Sequence, residues 1–198
     1  MKLGGDTLTG GICRSPALSP DGQTLAVVFS TEPGRDQVYL LSSNEAEPQP
    51  LGDPLDIRSL SWLGDGTGLV LLVGEGVQKI DNRSGMRIVQ LGLDGGVSGI
   101  RSDTGSFATV AGKDSQRILF RGRDQLWYTC GPKGKSVSKV GNGLKDLADP
   151  AVNPEGTHAV MIGRDAEGRT WPIVVDLVSG ERFPVKVERG RWLHPAWR

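Results

Sequence analysis

Residues 15–29 read Ser-Pro-Ala-Leu-Ser-Pro-Asp-Gly-Gln-Thr-Leu-Ala-Val-Val-Phe, and the turn in their middle decides the fold. Pro20 presets φ early in the turn, Asp21 can bond its own backbone, and Gly22 is free to take a positive φ. Before the turn stands Pro16-Ala17-Leu18. After it runs Leu25-Ala26-Val27-Val28-Phe29, too short for an ordinary helix and rich in β-formers. The stretch predicts a β-hairpin.

The same pattern returns in weaker form. Leu60 to Gly66 precedes Leu69 to Val73, Ile100 to Gly105 precedes Phe107 to Val110, and Pro150 to Gly156 precedes His158 to Ile162. Pro195-Ala196-Trp197-Arg198 matches Pro16 to Ser19 and Pro150 to Asn153. Turn glycines 22, 66, 105 and 156 are separated by 44, 39 and 51 residues, and Pro150 and Pro195 by 45. A period of about 40–45 residues built from short strands points to propeller blades. A second signature, Asp-x-x-Ser-Gly, occurs at Asp81 to Gly85 and Asp176 to Gly180, where it is expected to mark the outer hairpin of a four-stranded unit.

Ser-Pro-Asp-Gly before an apolar strand, followed by Asp-x-x-Ser-Gly, resembles the WD40-like (PD40) repeats of TolB-like β-propellers. Such repeats also occur in the propeller domains of prolyl-oligopeptidase-type peptidases and in some bacterial lipoproteins. The resemblance implies an all-β propeller of about four four-stranded antiparallel blades plus a partial one, as a single array over residues 1–198. The expected blades are 12–52, 53–93, 96–144 and 149–190, with 192–198 opening a further one. The third is irregular, because Arg117 to Phe120 and Gln125 to Thr129 supply one strand more than the pattern places. TolB-like rings are expected to use about six blades, within the range of about 4–8 for propellers. The expectation therefore favours a fragment or partial array. Its end faces would be closed by a small ring, by the first and last strands meeting, or by another molecule, self-association included.

Composition agrees. Twenty-nine glycines and 12 prolines in 198 residues suit many tight turns, and no long window carries helical apolar periodicity. Twenty-three basic residues balance 23 acidic ones, which argues against a general polyanion binder. The charge is nevertheless uneven: residues 113–145 hold eight bases and two acids. Arg117, Arg121, Arg123, Lys133, Lys135 and Lys139, near Phe120, Trp127 and Tyr128, form the one candidate patch for an anionic partner such as RNA. The competing reading is a solvated face with aromatics packed between blades. The five tryptophans 62, 127, 171, 192 and 197 are read in the same way, as inter-blade packing.

Catalytic motifs are not found: no His-Glu-x-x-His, no Cys-x-x-Cys, no Gly-x-Ser-x-Gly elbow and no EF-hand loop. Gly134-Lys135-Ser136 fails as a phosphate loop, since the first glycine of that motif would fall at Thr129 and a strand follows. Asn82-Arg83-Ser84 fits a glycosylation sequon but lies in the repeated turn. His158 and His194 are read as packed or hydrogen-bonded, and Cys13 and Cys130 as thiols without metal or redox spacing. No catalytic, cofactor or metal residue is assigned, and no cofactor is expected. Met1 to Gly11 lacks the apolar run of a signal peptide, so the sequence as it stands predicts a cytoplasmic protein, or an extracytoplasmic one if its beginning is missing. No run is long enough to span a membrane. The function expected is a non-catalytic scaffold binding another protein through rim loops. The alternatives are the propeller portion of a larger prolyl-oligopeptidase-type hydrolase, and binding of nucleic acid through segment 113–145.

Overall fold

A computed structural model of the chain describes residues 10–45, 47–74, 85–101, 104–111, 117–141, 147–153, 155–164 and 167–185. Asp81 to Ser84, Trp192, His194, Trp197 and the partial unit 192–198 lie outside these residues. All regular structure described is β, in four four-stranded antiparallel sheets, each a simple meander. The chain forms two compact units, Met1–Thr109 and Val110–Arg198.

The first unit holds two sheets. β1 (Ile12–Leu18), β2 (Thr24–Glu32), β3 (Arg35–Ser42) and β4 (Gln49–Leu55) make the first. β5 (Ile57–Trp62), β6 (Gly68–Val73), β7 (Arg87–Gly92) and β8 (Val97–Arg101) make the second. Side chains alternate between faces along each strand. One face of the first sheet, Ala26, Val28, Val38 and Leu51, packs on Leu69, Leu71, Val73, Val89 and Leu91 of the second. Of these, Ala26, Val28, Leu69, Leu71 and Val89 are wholly buried.

Polar pins fix how the two sheets meet. Asp36 is 2% exposed, and its Oδ2 accepts from Arg14 Nη2 at 2.6 Å and from the Ile57 backbone N–H at 2.8 Å. Arg14 also donates to the Ile57 carbonyl at 2.6 Å, while Trp62 Nε1 donates to the Ala17 carbonyl at 2.9 Å. At the outer strands Gly52 (φ 67°) lies against Gly95 (φ 82°). A Cβ on Gly52 would sit 3.2 Å from the Gly95 carbonyl oxygen.

β9 (Thr104–Ala111), most of which precedes the unit boundary, forms the third sheet with β10 (Arg117–Gly122), β11 (Trp127–Cys130) and β12 (Ser138–Lys139) of the second unit. β13 (Leu147–Val152), β14 (His158–Arg164), β15 (Thr170–Asp176) and β16 (Arg182–Pro184) form the fourth. Trp127, 1% exposed, donates from Nε1 to the Leu147 carbonyl at 3.1 Å. Trp62 and Trp127 thus tie neighbouring sheets, as the packing reading of the tryptophans requires. The glycine contact recurs as well: a Cβ on Gly180 would fall on the Cα of Gly141.

Two strand assignments differ from the sequence expectation. Val97–Arg101, expected at the start of the third blade, pairs with β7 and closes the second sheet, in which Arg87–Gly92 is the third strand. Gly105, expected in a turn, lies within β9. The physical reason is Asp94-Gly95-Gly96. Gly92 N–H bonds the Gly96 carbonyl at 2.9 Å, Gly95 N–H bonds Gly92 at 3.0 Å, and Asp94 Oδ1 takes the Gly96 N–H. That tight hairpin makes Gly92 to Gly96 the outer turn of the second sheet; Asp81 to Ser84, where the second turn signature stands, lie outside the described residues. Once β8 belongs there, the third sheet has four strands and no surplus.

Candidate interaction surface

The first hairpin turn of three sheets is one structure written in different residues. In the first sheet Ser19 N–H bonds Thr24 O at 2.8 Å and Gly22 N–H bonds Ser19 O at 2.9 Å. Ser19 Oγ donates to Asp21 Oδ1 at 2.5 Å and accepts from Thr24 N–H. The Ser19 hydroxyl and then the Gln23 N–H hold the Asp21 carboxyl below the usual carboxylate range. In the second sheet Leu63, Gly66 and Gly68 repeat the backbone bonds, with Asp65 Oδ1 accepting from Thr67 N–H and Oγ1. In the fourth, Asn153 Oδ1 accepts from the N–H groups of Thr157 and His158, both at 2.9 Å. Gly22, Gly66 and Gly156 have φ of 75°, 73° and 70°, where a Cβ is strained.

A four-stranded meander brings its first and third turns to one end. Direct bonds confirm this, from Ser43 N–H to Gln23 O at 3.2 Å in the first sheet and from Leu177 N–H to Thr157 O at 2.8 Å in the fourth. On that end every sheet exposes an apolar side chain: Leu18 (62%), Leu93 (49%), Val137 (44%) and Val178 (71%). Leu93 and Val178 sit in closed turns, and Val137 follows one. Leu93 lies in the Gly92–Gly96 hairpin and Val137 follows the turn in which Gly131 N–H bonds Lys135 O at 2.8 Å. Val178 is held by the Asp176 carboxylate, which accepts from Ser179 and Val178 N–H at 2.7 and 2.8 Å. Those two bonds lower the Asp176 pKa. Sequence reading missed these residues because an apolar residue beside a turn looks like the end of a strand.

The six basic candidates do not share a face or an end. Strand register puts Arg117 and Arg121 on the face of Trp127, and Lys139 on the opposite face with Tyr128. Arg117, Lys133 and Lys135 lie toward the first-turn end of the third sheet, and Arg121, Arg123 and Lys139 toward the other. The Arg121 guanidinium lies 6.0 Å from the Trp127 ring centroid, and its Nε donates to the Gln125 carbonyl at 3.2 Å. Phe120 and Tyr128 stack with centroids 5.7 Å apart, and the Tyr128 hydroxyl donates to Asp124 at 2.7 Å. That bond raises the Tyr128 pKa above its ordinary value and lowers that of Asp124.

Other titratable candidates are placed individually. His158 is half-buried, with Nδ1 2.9 Å from Thr157 Oγ1 and Nε2 3.7 Å from Asp176 Oδ2. Cys13 is exposed and Cys130 buried, with no disulfide between them. Among the described residues no group of three or more His, Cys, Asp or Glu side chains is arranged to hold a metal ion, and no helix is long and apolar enough to cross a membrane.

No family model matches the chain. Among curated proteins it is similar to the uncharacterized peptidase YuxL of Bacillus subtilis (strain 168), 27% identical over 154 residues that make up 74% of this chain and 21% of that protein. Among solved structures it superposes on TolB from Acinetobacter baumannii with a TM-score of 0.70 at 18% identity, covering 89% of this chain and 45% of that one. A putative TolB from Agrobacterium tumefaciens gives a TM-score of 0.70 at 19% identity, covering 87% of this chain and 65% of that one. The fold is the TolB-like β-propeller. The chain spans from about a fifth to under two thirds of the lengths of these three proteins.

Proposed function

We propose that residues 1–198 serve as one propeller-type scaffold that binds another protein through the first-turn ends of its sheets. The observation that carries this reading is the placement of Leu18, Leu93, Val137 and Val178: each sheet, taken by itself, exposes apolar surface at its own first-turn end. Hydrogen-bonded turns hold these groups in place before a partner arrives, so little ordering entropy is lost on binding. Full burial of a side chain of this kind is worth about 1.5–3 kcal/mol. The division of the six basic residues between two ends and two faces favours a protein partner over an extended polyanion.

The test is affinity capture with the intact chain as bait, compared with a variant carrying Leu18→Ser, Leu93→Ser, Val137→Ser and Val178→Ser. A partner that binds the parent and is lost from the variant supports the reading. A partner held equally by both, but released by Arg121→Ser and Arg123→Ser at the opposite end, refutes it.

A second reading is favoured by the similarity to the Bacillus peptidase, within which 74% of this chain aligns to 21% of that protein. On that reading the sheets are the propeller portion of a larger hydrolase and control access to a separate α/β-hydrolase domain. A parent gene that continues into a Gly-x-Ser-x-Gly elbow would decide for it.

A further inference from the structure

The first unit separates its charges by end. Its first-turn end is made of the turns from β1 to β2 and from β3 to β4 in the first sheet, and from β5 to β6 and from β7 to β8 in the second. Contacts between the sheets bring these turns together. Trp62 Nε1 donates to the Ala17 carbonyl at the base of the two first turns, and a Cβ on Gly66 would stand 3.9 Å from Pro20 Cδ. The approach of Gly95 to Gly52 holds the turn after β7 against β4. Asp21, Glu45, Glu47, Asp65 and Asp94 are all exposed on these turns, and the described residues of the turns include no Lys, Arg or His. Every described basic residue of the unit stands at the other end. Arg14, Arg35, Arg58 and Arg87 fall within the first three residues of β1, β3, β5 and β7, and Arg101 is the last of β8.

Exposed Leu18 and Leu93 stand among those carboxylates. Three of the acids are held by their own turns: Asp21 Oδ1 accepts from the Gln23 N–H at 3.0 Å, Asp65 Oδ1 from the Thr67 N–H at 3.0 Å and Asp94 Oδ1 from the Gly96 N–H at 2.9 Å. Binding therefore has little to order at these groups. An end that is apolar and acidic throughout selects its partner by sign. Whatever covers Leu18 and Leu93 takes water from the neighbouring carboxylates, a cost that a neutral or acidic surface does not return and that lysine or arginine offsets.

Resting on the reading that the turn ends bind protein, we propose that the first-turn end of the first unit receives a basic segment of a partner protein, in which Lys or Arg is interleaved with apolar residues. The apolar side chains of that segment cover Leu18 and Leu93, and its cations lie against Asp21, Glu45, Glu47, Asp65 and Asp94. The field of the five carboxylates speeds the encounter, and salt weakens it.

The experiment is fluorescence anisotropy of a labelled peptide of alternating Lys and Leu, titrated with the full chain at about 20 and about 200 mM salt. Peptides of alternating Lys and Ser, and of alternating Glu and Leu, are the controls. The Lys-Leu peptide is expected to bind, about tenfold more weakly at the higher salt and about tenfold more tightly than the Lys-Ser peptide, and the Glu-Leu peptide not to bind. A variant carrying Asp21→Asn, Glu45→Gln, Glu47→Gln, Asp65→Asn and Asp94→Asn keeps an Oδ1 acceptor in each turn and should lose about tenfold or more in affinity. Leu18→Ser with Leu93→Ser should also weaken binding. The far-UV spectrum checks that the sheets persist, and Glu45→Gln with Glu47→Gln replaces the larger variant if it fails. A parent that ignores the Lys-Leu peptide, or binds the Lys-Ser peptide as tightly, overturns the proposal. If the serine variant loses the peptide and the amide variant keeps it, the turn end binds without regard to sign and this proposal alone falls. If the amide variant loses it and the serine variant keeps it, the apolar reading of the turn ends falls, and the proposal with it.

Discussion

Asp36→Ala tests whether the first two sheets are joined by charge and hydrogen bonding as well as by apolar packing. The substitution removes the acceptor for Arg14 at 2.6 Å and for the Ile57 N–H at 2.8 Å. Ile57 is 1% exposed, so its N–H would be left without a partner away from water, which costs about 1–3 kcal/mol. The hydrogen bond between charged groups contributes about 1.5–3 kcal/mol more, at the lower end here because the Arg14 side chain is 34% exposed and can rehydrate. The expected loss is about 3 kcal/mol, a large part of the roughly 5–15 kcal/mol that holds a domain folded. Urea unfolding followed by tryptophan fluorescence measures it, Trp62 lying at the same sheet-to-sheet contact. Asp36→Asn keeps one carbonyl oxygen for the Ile57 N–H and should lose only about half as much. A loss below about 1 kcal/mol for Asp36→Ala, the range of ordinary exposed ion pairs, would refute the argument.

Gln125→Gly should stabilise the chain. Gln125 has φ 67° in a turn closed by Gly122 N–H to Leu126 O at 2.8 Å, and glycine holds the corresponding place, with φ 71° and 82°, at Gly134 and Gly95. Relief of about 1–2 kcal/mol of left-handed strain outweighs about 0.5–1 kcal/mol of added chain entropy, and a lowered urea midpoint would contradict this. For the Tyr128–Asp124 pair, ultraviolet titration should find Tyr128 ionising above its ordinary value of 10, and Asp124→Asn should bring it back down. The raised tyrosine pKa supplies stability that is complete below the unfolded value and lost as pH rises through the folded one. The lowered Asp124 pKa supplies stability that is present above the unfolded value and lost as pH falls through the folded one. A Tyr128 midpoint unmoved by Asp124→Asn would show that the 2.7 Å bond is not what shifts it.

What was legible in the sequence was local. Pro20, Asp21 and Gly22 specify a turn by their own backbone preferences, and the same chemistry announces the turns at Gly66 and Gly156. Asp94-Gly95-Gly96 carries an equally strong turn signal, but the repeat spacing points to Gly105, which lies in a strand. The basic segment shows a different limit. Nearness in sequence does not say on which end of a meander a residue falls, because consecutive turns alternate ends and consecutive side chains alternate faces. Asp36 could not be recognised at all, since its partners are 22 residues back on β1 and 21 residues ahead in the next sheet.

The contacts that join sheets and the residues displayed at the turn ends are separate sets. Asp36, Arg14, Trp62, Trp127 and the paired glycines 52 with 95 and 141 with 180 act between sheets. A side chain at Gly141 or Gly180 would meet main chain, which cannot swing aside, so these positions admit little variation without moving a sheet. Leu18, Leu93, Val137 and Val178 touch solvent over 44–71% of their surface, and exposed positions of this kind usually shift stability by no more than about 0.5 kcal/mol when changed. The frame can therefore stay constant while the displayed residues change. On the proposed function binding specificity would reside in the turn ends, and loss of a partner through serine substitution there, at unchanged urea midpoint, is the behaviour that separates a binding surface from a weakened fold.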